Sequence, residues 1–175
     1  MSKVKRIPLG EVGTFRRGGN FKKSDFIEDG YPCIHYGQIH TKFSTATFSH
    51  ITAIPDAIAA KCPKATKGDL VIAITSEDVA GSCKCTTWLG DYDIALGGHI
   101  ARFRHCLNPE YVSYFFQSPI FQREKQQYTH GFKVTEIKPS DIAEIKIPVP
   151  DIEVQDSIVR RLNSLVSKRF FDKPL

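Results

Sequence analysis

Runs of apolar residues along the middle of the chain predict a β-rich region. Residues 71–75, Val-Ile-Ala-Ile-Thr, are mostly β-branched and would be apolar on both faces, which is typical of a strand buried between two layers. The turn-prone Lys67-Gly68-Asp69 stands before this run and favours a sharp entry into the strand. Further strands are predicted at residues 85–89, 94–96, 100–104 and 145–147.

Capping residues mark two helices after the central strands. Asn108 and Ser118 can each accept a backbone amide proton, and each stands directly before a proline, which suits the first position of a helix. We therefore predict one helix from Pro109 and another over residues 120–128, with a weaker helical pattern over 51–60. The mixture predicts an α/β (α+β) domain with a twisted β-sheet, short helices and one C-terminal helix.

The C-terminal segment combines a rigid step with an amphipathic helix. Pro148 and Pro150 fix their own φ near about −65° and disfavour helix in the residues before them, so the preceding strand must end there. Asp151 then suits a helix start. The apolar residues beyond it recur at the spacing of one helical face, so the helix either folds back on its own domain or packs against another helix or protein.

Length and cysteine content indicate an ordinary globular domain. The 175 residues suffice for one domain with a core of its own. Five cysteines are an odd number without a paired framework, and the first residues, Met-Ser-Lys-Val-Lys, lack the apolar run of a signal peptide. No segment approaches the roughly 18 to 20 apolar residues of a membrane span. We therefore expect a reducing, cytoplasmic compartment.

The net charge of +5 matters because it is unevenly distributed. Up to Asp25 the chain has seven basic residues against two acidic ones, and a second basic group follows later as Arg102, Arg104 and His105. A cluster of one sign fits attraction to phosphates. On composition alone, however, a solvated surface of lysines is the better explanation, so the charge by itself does not indicate DNA binding.

One residue group has the composition of a nuclease site. Asp141 and Glu144 could hold Mg²⁺ while Lys146 stabilises charge. The two carboxylates stand only three residues apart on one short segment, however, whereas such sites usually draw them from different strands. A free-standing magnesium-dependent nuclease therefore stays a minor alternative.

A soft metal site could be assembled from Cys83 and Cys85 with His99 and His105. Structural zinc sites favour Cys-x-x-Cys pairs and four ligands at recognisable spacing, so buried thiols are the simpler interpretation. The sequence has no nucleophile–base motif, P-loop or dinucleotide fingerprint. We predict no bound metal, no cofactor and no catalytic residue in this chain.

Four sequence motifs follow one another in order along the chain. They are Leu-Gly-Glu-Val at 9–12 with Arg-x-Gly at 17–19 and Lys-Lys at 22–23, Gly-Tyr-Pro-Cys-Ile-His-Tyr-Gly-Gln-Ile at 30–39, Gly-Asp-Leu-Val at 68–71, and Ile-Lys-Ile-Pro-Val-Pro at 145–150. Their order resembles a target recognition domain from the specificity (S) subunit of Type I restriction-modification enzymes, over nearly the whole chain. The resemblance implies a strand at 30–39, a DNA target recognition domain over residues 1–150, and the start of a conserved helix for subunit or dimer contact over residues 151–175.

The resemblance also implies which residues meet DNA and which meet partner proteins. In DNA-facing loops lysines hold phosphates, and polar side chains meet the donors and acceptors of base edges. Phosphate contacts are expected from Lys22, Lys23, Lys42, Lys84 and Lys133. Base or groove contacts are expected from Gln38, His40, Thr41, Ser76, Glu77, His99 and Thr135, with Gly98 and Gly131 shaping the backbone through positive φ or a close approach to phosphate. Helix contacts to a partner are expected from Gln155, Ile158, Val159, Leu162, Leu165 and Val166.

By implication of the same family, the chain is non-catalytic by itself and directs partner subunits to a DNA target. Its expected partners are double-stranded DNA, methyltransferase (M) and restriction (R) subunits, and a second copy bound through the C-terminal helix. S-adenosylmethionine, ATP and Mg²⁺ would be used by the partner subunits. Because the family's subunits typically have two recognition domains, a truncated subunit or a half-subunit is expected here. The main alternative is a remnant or decoy module of the same fold that no longer reads DNA.

Overall fold

The computed structural model of the protein describes residues 4–129 and 135–171, with the last four of these as backbone only. The strands are β1 (Arg6–Pro8), β2 (Gly13–Arg17), β3 (Tyr31–Ile34), β4 (Ala46–Thr47), β5 (Thr52–Ile54), β6 (Lys64–Ala65), β7 (Leu70–Ala73), β8 (Thr75–Ser76), β9 (Cys85–Trp88), β10 (Ile94–Leu96), β11 (Ile100–His105), β12 (Thr135–Glu136) and β13 (Lys146–Pro148). The helices are α1 (Leu9–Val12), α2 (Tyr36–Thr41), α3 (Asp56–Ala59), α4 (Pro109–Gln117), α5 (Pro119–Glu124), α6 (Pro139–Glu144) and α7 (Ile152–Phe171). Short 3₁₀ turns occupy Lys23–Asp25 and Lys125–Tyr128.

A five-stranded sheet in the order β2-β11-β7-β9-β4 forms the middle layer of the fold. Its strands are antiparallel except for the β4–β9 pair. Strand β7 is buried along its whole length because Leu70 and Ile72 face one apolar cluster while Val71 and Ala73 face another. The predicted internal strand is therefore confirmed, although it begins one residue earlier and ends two residues earlier than expected.

A four-stranded sheet in the order β5-β3-β10-β6 packs against one side of the middle layer. Between the two sheets lies a cluster in which Ile34, Ile94 and Leu96 of the smaller sheet meet Trp88 and the inner residues of β7. A third cluster, with Phe21, Ile54 and Ala59, lies between the smaller sheet and α3. The smaller sheet is thus covered on both faces, which fixes the loops at its ends.

Helices α4 to α7 cover the opposite side of the five-stranded sheet. Phe116 of α4 stacks on Phe121 of α5 with ring centroids 4.2 Å apart, and both side chains are buried in the largest apolar cluster. The predicted caps are confirmed, since Asn108 accepts a hydrogen bond from the Tyr111 amide and Ser118 accepts one from the Phe121 amide. Helix α5 ends at Glu124, earlier than predicted, and continues as a 3₁₀ turn to Tyr128.

Two small ladders connect distant parts of the chain. Strand β1 pairs with β13 in the register Ile7↔Ile147, and β8 pairs with β12 in the register Ser76↔Thr135. Strand β13 was predicted one residue earlier, at 145–147, whereas β1, β8 and β12 have two or three residues each, too few for an alternation to be visible in the sequence. The second ladder is important for the site because it holds β12 against β8, which follows directly after β7.

Two sequence predictions were wrong in type. The expected strand over 30–39 ends at Ile34 and gives way to helix α2, because the side chains of His35 and Gln38 form a capping box at the helix start. The expected helix over 51–60 is a strand, β5, followed by the four-residue helix α3. Pro55 separates the two, since a proline disfavours helical backbone in the residue before it.

The C-terminal helix begins at Ile152 and runs for 20 residues. Its first turns pack on α4, where Val159 joins the largest apolar cluster. The observed mixture of sheets, short helices and one long terminal helix confirms the predicted mixed α/β class. Within the described parts of the chain, no helix is both long enough and apolar enough to cross a membrane.

Candidate nucleic-acid interface

Two adjoining clefts open between the ends of the sheets. The larger has a volume of about 830 Å³ and the smaller about 570 Å³. Lys23, His35 and Tyr36 line both, so the two form one continuous surface. The walls come from the chain around residues 17–23, from helix α2, from residues 75–84 and from residues 98–99.

Helix α2 forms one wall, and its start is fixed by side chains. The Gln38 Oε1 atom accepts a hydrogen bond from the His35 amide at 2.9 Å, and its Nε2 atom donates to the Thr52 hydroxyl at 3.0 Å. Both ends of this amide are therefore engaged within the domain. Gln38 lines the larger cleft as predicted, but its geometry favours a role in positioning α2 over the expected base contact.

A group of rings connects the two clefts. Tyr36 lies between His40 and His99, with ring centroids 6.1 and 5.0 Å away. Thr75 is hydrogen-bonded to both imidazoles, through its carbonyl to His40 at 3.1 Å and through its hydroxyl to His99 at 3.0 Å. Since His99 is exposed and His40 half-buried, one edge of each ring is accessible from the clefts.

His35 lies behind this group as a neutral imidazole. Burial lowers its pKa, and the nearby charge of Lys23 and of His99 lowers it further. The geometry agrees, because the His35 Nδ1 atom accepts a hydrogen bond from the Gly37 amide, which an imidazolium could not do. His35 therefore supports the helix start and adds no charge to the surface.

The loop between β8 and β9, residues 77–84, forms the opposite wall and is internally braced. Asp78 Oδ1 accepts a hydrogen bond from the Gly81 amide at 2.5 Å, and Ser82 Oγ donates to the Val79 carbonyl at 2.7 Å. A Cβ atom at Gly81 would lie 2.4 Å from the Ser76 hydroxyl oxygen, so any other residue there would force the Ser76 side chain to move. Cys83 adopts a φ of 60°, which is uncommon for a residue other than glycine.

A buried lysine braces this loop from the inside of the domain. Lys125 is 1% exposed, and its Nζ atom donates to the Ser82 carbonyl at 2.7 Å and to the Ala80 carbonyl at 3.3 Å. Burial lowers the pKa of this ammonium group, while Cys83 and Asp78 oppose the shift. Sequence reasoning missed Lys125, because nothing local distinguishes it from the exposed lysines.

Four lysines give the surface its positive charge. Lys22, Lys23, Lys42 and Lys84 are all exposed and line the clefts. Arg17 lines the smaller cleft but pairs with Glu136 at 2.8 Å and donates to the Gly98 carbonyl. The lysine ammonium groups are therefore the cations best placed to meet an anionic ligand.

The second basic group of the sequence is engaged or partly buried within its own domain, away from the clefts, which corrects its expected role as a phosphate-attracting cluster. Arg104 binds both carboxylate oxygens of the buried Asp69, at 2.9 and 2.7 Å, and Arg102 donates to the Lys64 carbonyl. Burial lowers the pKa of His105 to about 4, so it is neutral at pH 7. None of the three lines the clefts.

The structure brings most of the predicted DNA-contact residues to one surface. Eleven of them line the two clefts, namely Lys22, Lys23, Gln38, His40, Thr41, Lys42, Ser76, Glu77, Lys84, Gly98 and His99. Thr135 differs, because it is 4% exposed and is paired with Ser76 in a ladder, so the expected base contact is replaced by a structural role. Gly131 and Lys133 lie outside the described residues.

The expectation for Gly98 also changes in part. Its φ is not in the positive range, so the backbone freedom of glycine is not needed there. A Cβ atom at Gly98 would lie 3.2 Å from the Gly19 carbonyl oxygen, and one at Gly18 would lie 2.0 Å from the Gly97 carbonyl oxygen. These glycines allow two backbone segments to approach closely beneath the smaller cleft.

The residues weighed for catalysis or metal binding do not meet in these clefts. Asp141 and Glu144 lie on α6 and Lys146 on β13, and none of them lines either cleft. Burial raises the pKa of Cys83 and Cys85 to about 12, which keeps both thiols protonated at pH 7. Among the residues that the structure describes, no three His, Cys, Asp or Glu side chains are grouped to hold a metal ion.

The residues expected to contact a partner divide into two sets. Gln155 is buried, and it accepts a hydrogen bond from the Asn108 amide and donates one to the Pro150 carbonyl. Val159 is buried as well, so these two serve the domain itself, and the expectation of a partner contact is corrected for them. Ile158 and Leu162 are half-buried, whereas Leu165 and Val166 are 59% and 43% exposed.

Comparison with known proteins places the chain among specificity components. The family model described as the Type I restriction modification DNA specificity domain matches residues 1–170. The StySPI specificity subunit of a Type I restriction enzyme from Salmonella potsdam is 24% identical over 92% of this chain and 36% of its own length. The MjaVIII specificity subunit from Methanocaldococcus jannaschii is 26% identical over 91% of this chain and 38% of its own length.

A solved structure shows the same fold. The HsdS subunit from Thermoanaerobacter tengcongensis superimposes with a TM-score of 0.63 at 18% identity, over 94% of this chain and 37% of that chain. The chain thus spans little more than a third of the length of each of these three proteins.

Proposed function

The chain belongs to the family of Type I restriction modification DNA specificity domains, and on that premise we propose that it reads part of a double-stranded DNA target through its two adjoining clefts. The observation that carries this proposal is the assembly of eleven expected contact residues on one surface. Residues 1–150 form the recognition domain in this proposal. Residues 151–175 begin the helix that contacts other subunits.

Division of labour among the cleft residues follows from their chemistry. The four exposed lysines would neutralise phosphates and release counterions, which gives affinity without sequence preference. Thr41, His40, His99 and Glu77 offer donors and acceptors of the kind that base edges present in the major groove. Because α2 and the 77–84 loop are braced by internal hydrogen bonds, these groups are held in place before DNA arrives.

Methyltransferase and restriction subunits are the proposed protein partners. The recognition domain would direct these subunits to the target, and catalysis with S-adenosylmethionine, ATP and Mg²⁺ would occur in them. Leu165 and Val166, the most exposed of the predicted helix contacts, offer the apolar surface for a subunit or for a second copy. A recognition domain in another copy or another chain would read the remainder of the target. The cytoplasm, where such a target is available, is the proposed compartment.

Selection from a randomised duplex library tests the recognition role. We expect the purified chain to enrich one short motif, with an affinity that falls steeply between about 50 and 200 mM salt. The selection is run with and without a methyltransferase subunit, since a partner can stabilise the bound arrangement. Salt-sensitive binding without a motif, even with the partner present, would refute sequence recognition. The absence of any binding to DNA would refute the proposed function altogether.

A further inference from the structure

Two carboxylates, those of Glu77 and Asp78, lie among the cations of the larger cleft. Glu77 is exposed and lines this cleft together with Lys23, Lys42 and Lys84. Over residues 4–129 and 135–167, its carboxylate makes neither an ion pair within 4 Å nor a hydrogen bond. The neighbouring Asp78 differs, because one of its carboxylate oxygens is occupied by the Gly81 amide. Glu77 is therefore the acidic group of the loop whose oxygens remain available to a ligand.

The charge of Glu77 opposes the function of the surrounding lysines unless it meets a donor. A carboxylate accepts hydrogen bonds only, and it repels phosphate oxygens. In the major groove the hydrogen-bond donors on base edges are the exocyclic amines, N4 of cytosine and N6 of adenine. A base pair that presents such an amine to Glu77 would satisfy the carboxylate, whereas a guanine O6 or thymine O4 in the same place would face it with another acceptor.

The backbone of the loop that carries Glu77 is held in place at several points. The loop is held at one end by the Ser76↔Thr135 pairing, in the middle by the Asp78–Gly81 hydrogen bond, and from inside the domain by Lys125. Because the backbone is braced, the loop cannot readily withdraw from a mismatched acceptor. Repulsion between the carboxylate and that acceptor then favours one base over another.

We propose that Glu77 accepts a hydrogen bond from the exocyclic amine of one cytosine or adenine, so one position of the recognised sequence is limited to a base pair oriented with this amine, and not guanine O6 or thymine O4, towards Glu77. This inference rests on the proposed function, since it presupposes that the larger cleft receives DNA. It adds the chemical identity of one contact, which the recognition role alone does not specify.

The experiment compares library selections by the wild-type chain, Glu77→Ala and Glu28→Ala. Glu28 is exposed and lines neither cleft, so its variant removes the same charge elsewhere on the surface. We expect the wild type and Glu28→Ala to select one base pair in one orientation at the position that Glu77 contacts, by about tenfold or more over the reversed pair. Glu77→Ala should lose that preference and keep the rest of the motif. Equal thermal midpoints would show that all three proteins are folded.

A base analogue tests the contact directly. Replacing the selected base by 2-pyrimidinone or purine, which lack the 4-amino and 6-amino groups, should weaken wild-type binding about tenfold and leave Glu77→Ala unaffected. If Glu77→Ala selects the same base at every position, the inference is wrong while the recognition role stands. If the wild type selects no motif at all, the recognition role fails first and the inference fails with it.

Discussion

Lys22, Lys23, Lys42 and Lys84 are exposed around the two clefts, whereas Arg102, Arg104 and His105 of β11 lie away from the clefts and are engaged or partly buried. In the sequence both groups are simply basic residues, and nothing local separates them. In the fold the lysines face solvent, while Arg104 pairs with a buried carboxylate, Arg102 donates to a backbone carbonyl and burial keeps His105 neutral. Basic residues thus offer a surface for phosphate only where the fold does not already use them.

The largest effect should come from removing the exposed lysines together. We expect the combined change of Lys22, Lys23, Lys42 and Lys84 to alanine to weaken binding to any duplex about 100-fold at low salt and to reduce the salt slope by about 3 to 4, because each phosphate contact contributes about 0.9. Titrations at several salt concentrations measure both quantities. The free energy of unfolding should hardly change, since all four side chains are exposed.

A matched control separates these lysines from net charge. Lys5, Lys61, Lys138 and Lys146 are also exposed but line neither cleft, so their combined change to alanine removes the same charge. We expect this control to keep most of the affinity. An equal loss in both variants would show that the DNA responds to the overall charge and not to the clefts.

For Arg104 we expect the opposite of the lysines, namely a loss of stability with DNA binding retained. Arg104→Ala leaves the buried Asp69 carboxylate without its bidentate partner, and we expect it to lower the free energy of unfolding by about 2 kcal/mol. Urea unfolding measures this change. The folded variant should bind DNA within about twofold of the wild type, because Arg104 lines neither cleft. Arg16→Ala, on the neighbouring strand and exposed, is the control for charge and should change stability little.

Burial of His105 should make the stability of the domain depend on pH. Its folded-state pKa of about 4 lies below the ordinary value of 6.5, so the unfolded chain takes up the proton first as the pH falls. The stabilisation is fully present above pH 6.5 and is lost as the pH falls from 6.5 towards 4. Between pH 7 and 4.5, His105 should therefore lower the free energy of unfolding of the wild type by about 2 kcal/mol. His105→Leu should not show this part of the fall.

Unfolding curves at the two pH values give the comparison for His105, with His50→Leu as the control. His50 is exposed on the loop between β4 and β5, so its loss should leave the pH dependence of the wild type intact. A pH dependence that survives unchanged in His105→Leu would mean that another group is responsible.

The sequence predicted the parts of the fold that depend on local patterns. Strand β10 was predicted with its observed bounds, and the start of α4 followed from Asn108, while α5 begins at Pro119, one residue before the prediction made from Ser118. The two-residue ladder of β8 with β12 escaped prediction because it depends on contacts between distant segments. Helix α2 was assigned as a strand, because its capping box involves His35, which is not among the usual capping residues.

For the candidate site, the predictions came from resemblance more than from chemistry. Loops of the family suggested eleven residues that the fold brings to one surface, but no pattern in the sequence could show that Gln38 and Thr135 are engaged internally. The burial of Lys125 was equally hidden, since it depends on how α5 and the loop after β8 meet. Whether a polar side chain is free to bind is a property of tertiary contacts, which one sequence does not display.

The smallest effect, and the most specific one, concerns this buried lysine. Lys125→Met keeps the length of the side chain but leaves the Ser82 and Ala80 carbonyls without their donor. We expect a loss of about 1 kcal/mol in stability, because the desolvation cost of the ammonium group disappears together with its hydrogen bonds. The loop should loosen, so amide hydrogen exchange at residues 77–84 should accelerate. The motif selected from the library should become less sharp while the salt slope stays unchanged.

A less sharp motif at an unchanged salt slope would distinguish Lys125 from the lysines around the clefts. Lys61→Met removes an exposed lysine outside both clefts and should alter neither hydrogen exchange nor selectivity. If Lys125→Met lowered the salt slope, Lys125 would be acting as a phosphate contact, against its 1% exposure. If it left exchange and selectivity unchanged, the loop would not need this brace. A loss of selectivity at constant salt slope would separate the two roles of lysine in one domain, binding phosphate at the surface and shaping the reading loop from within.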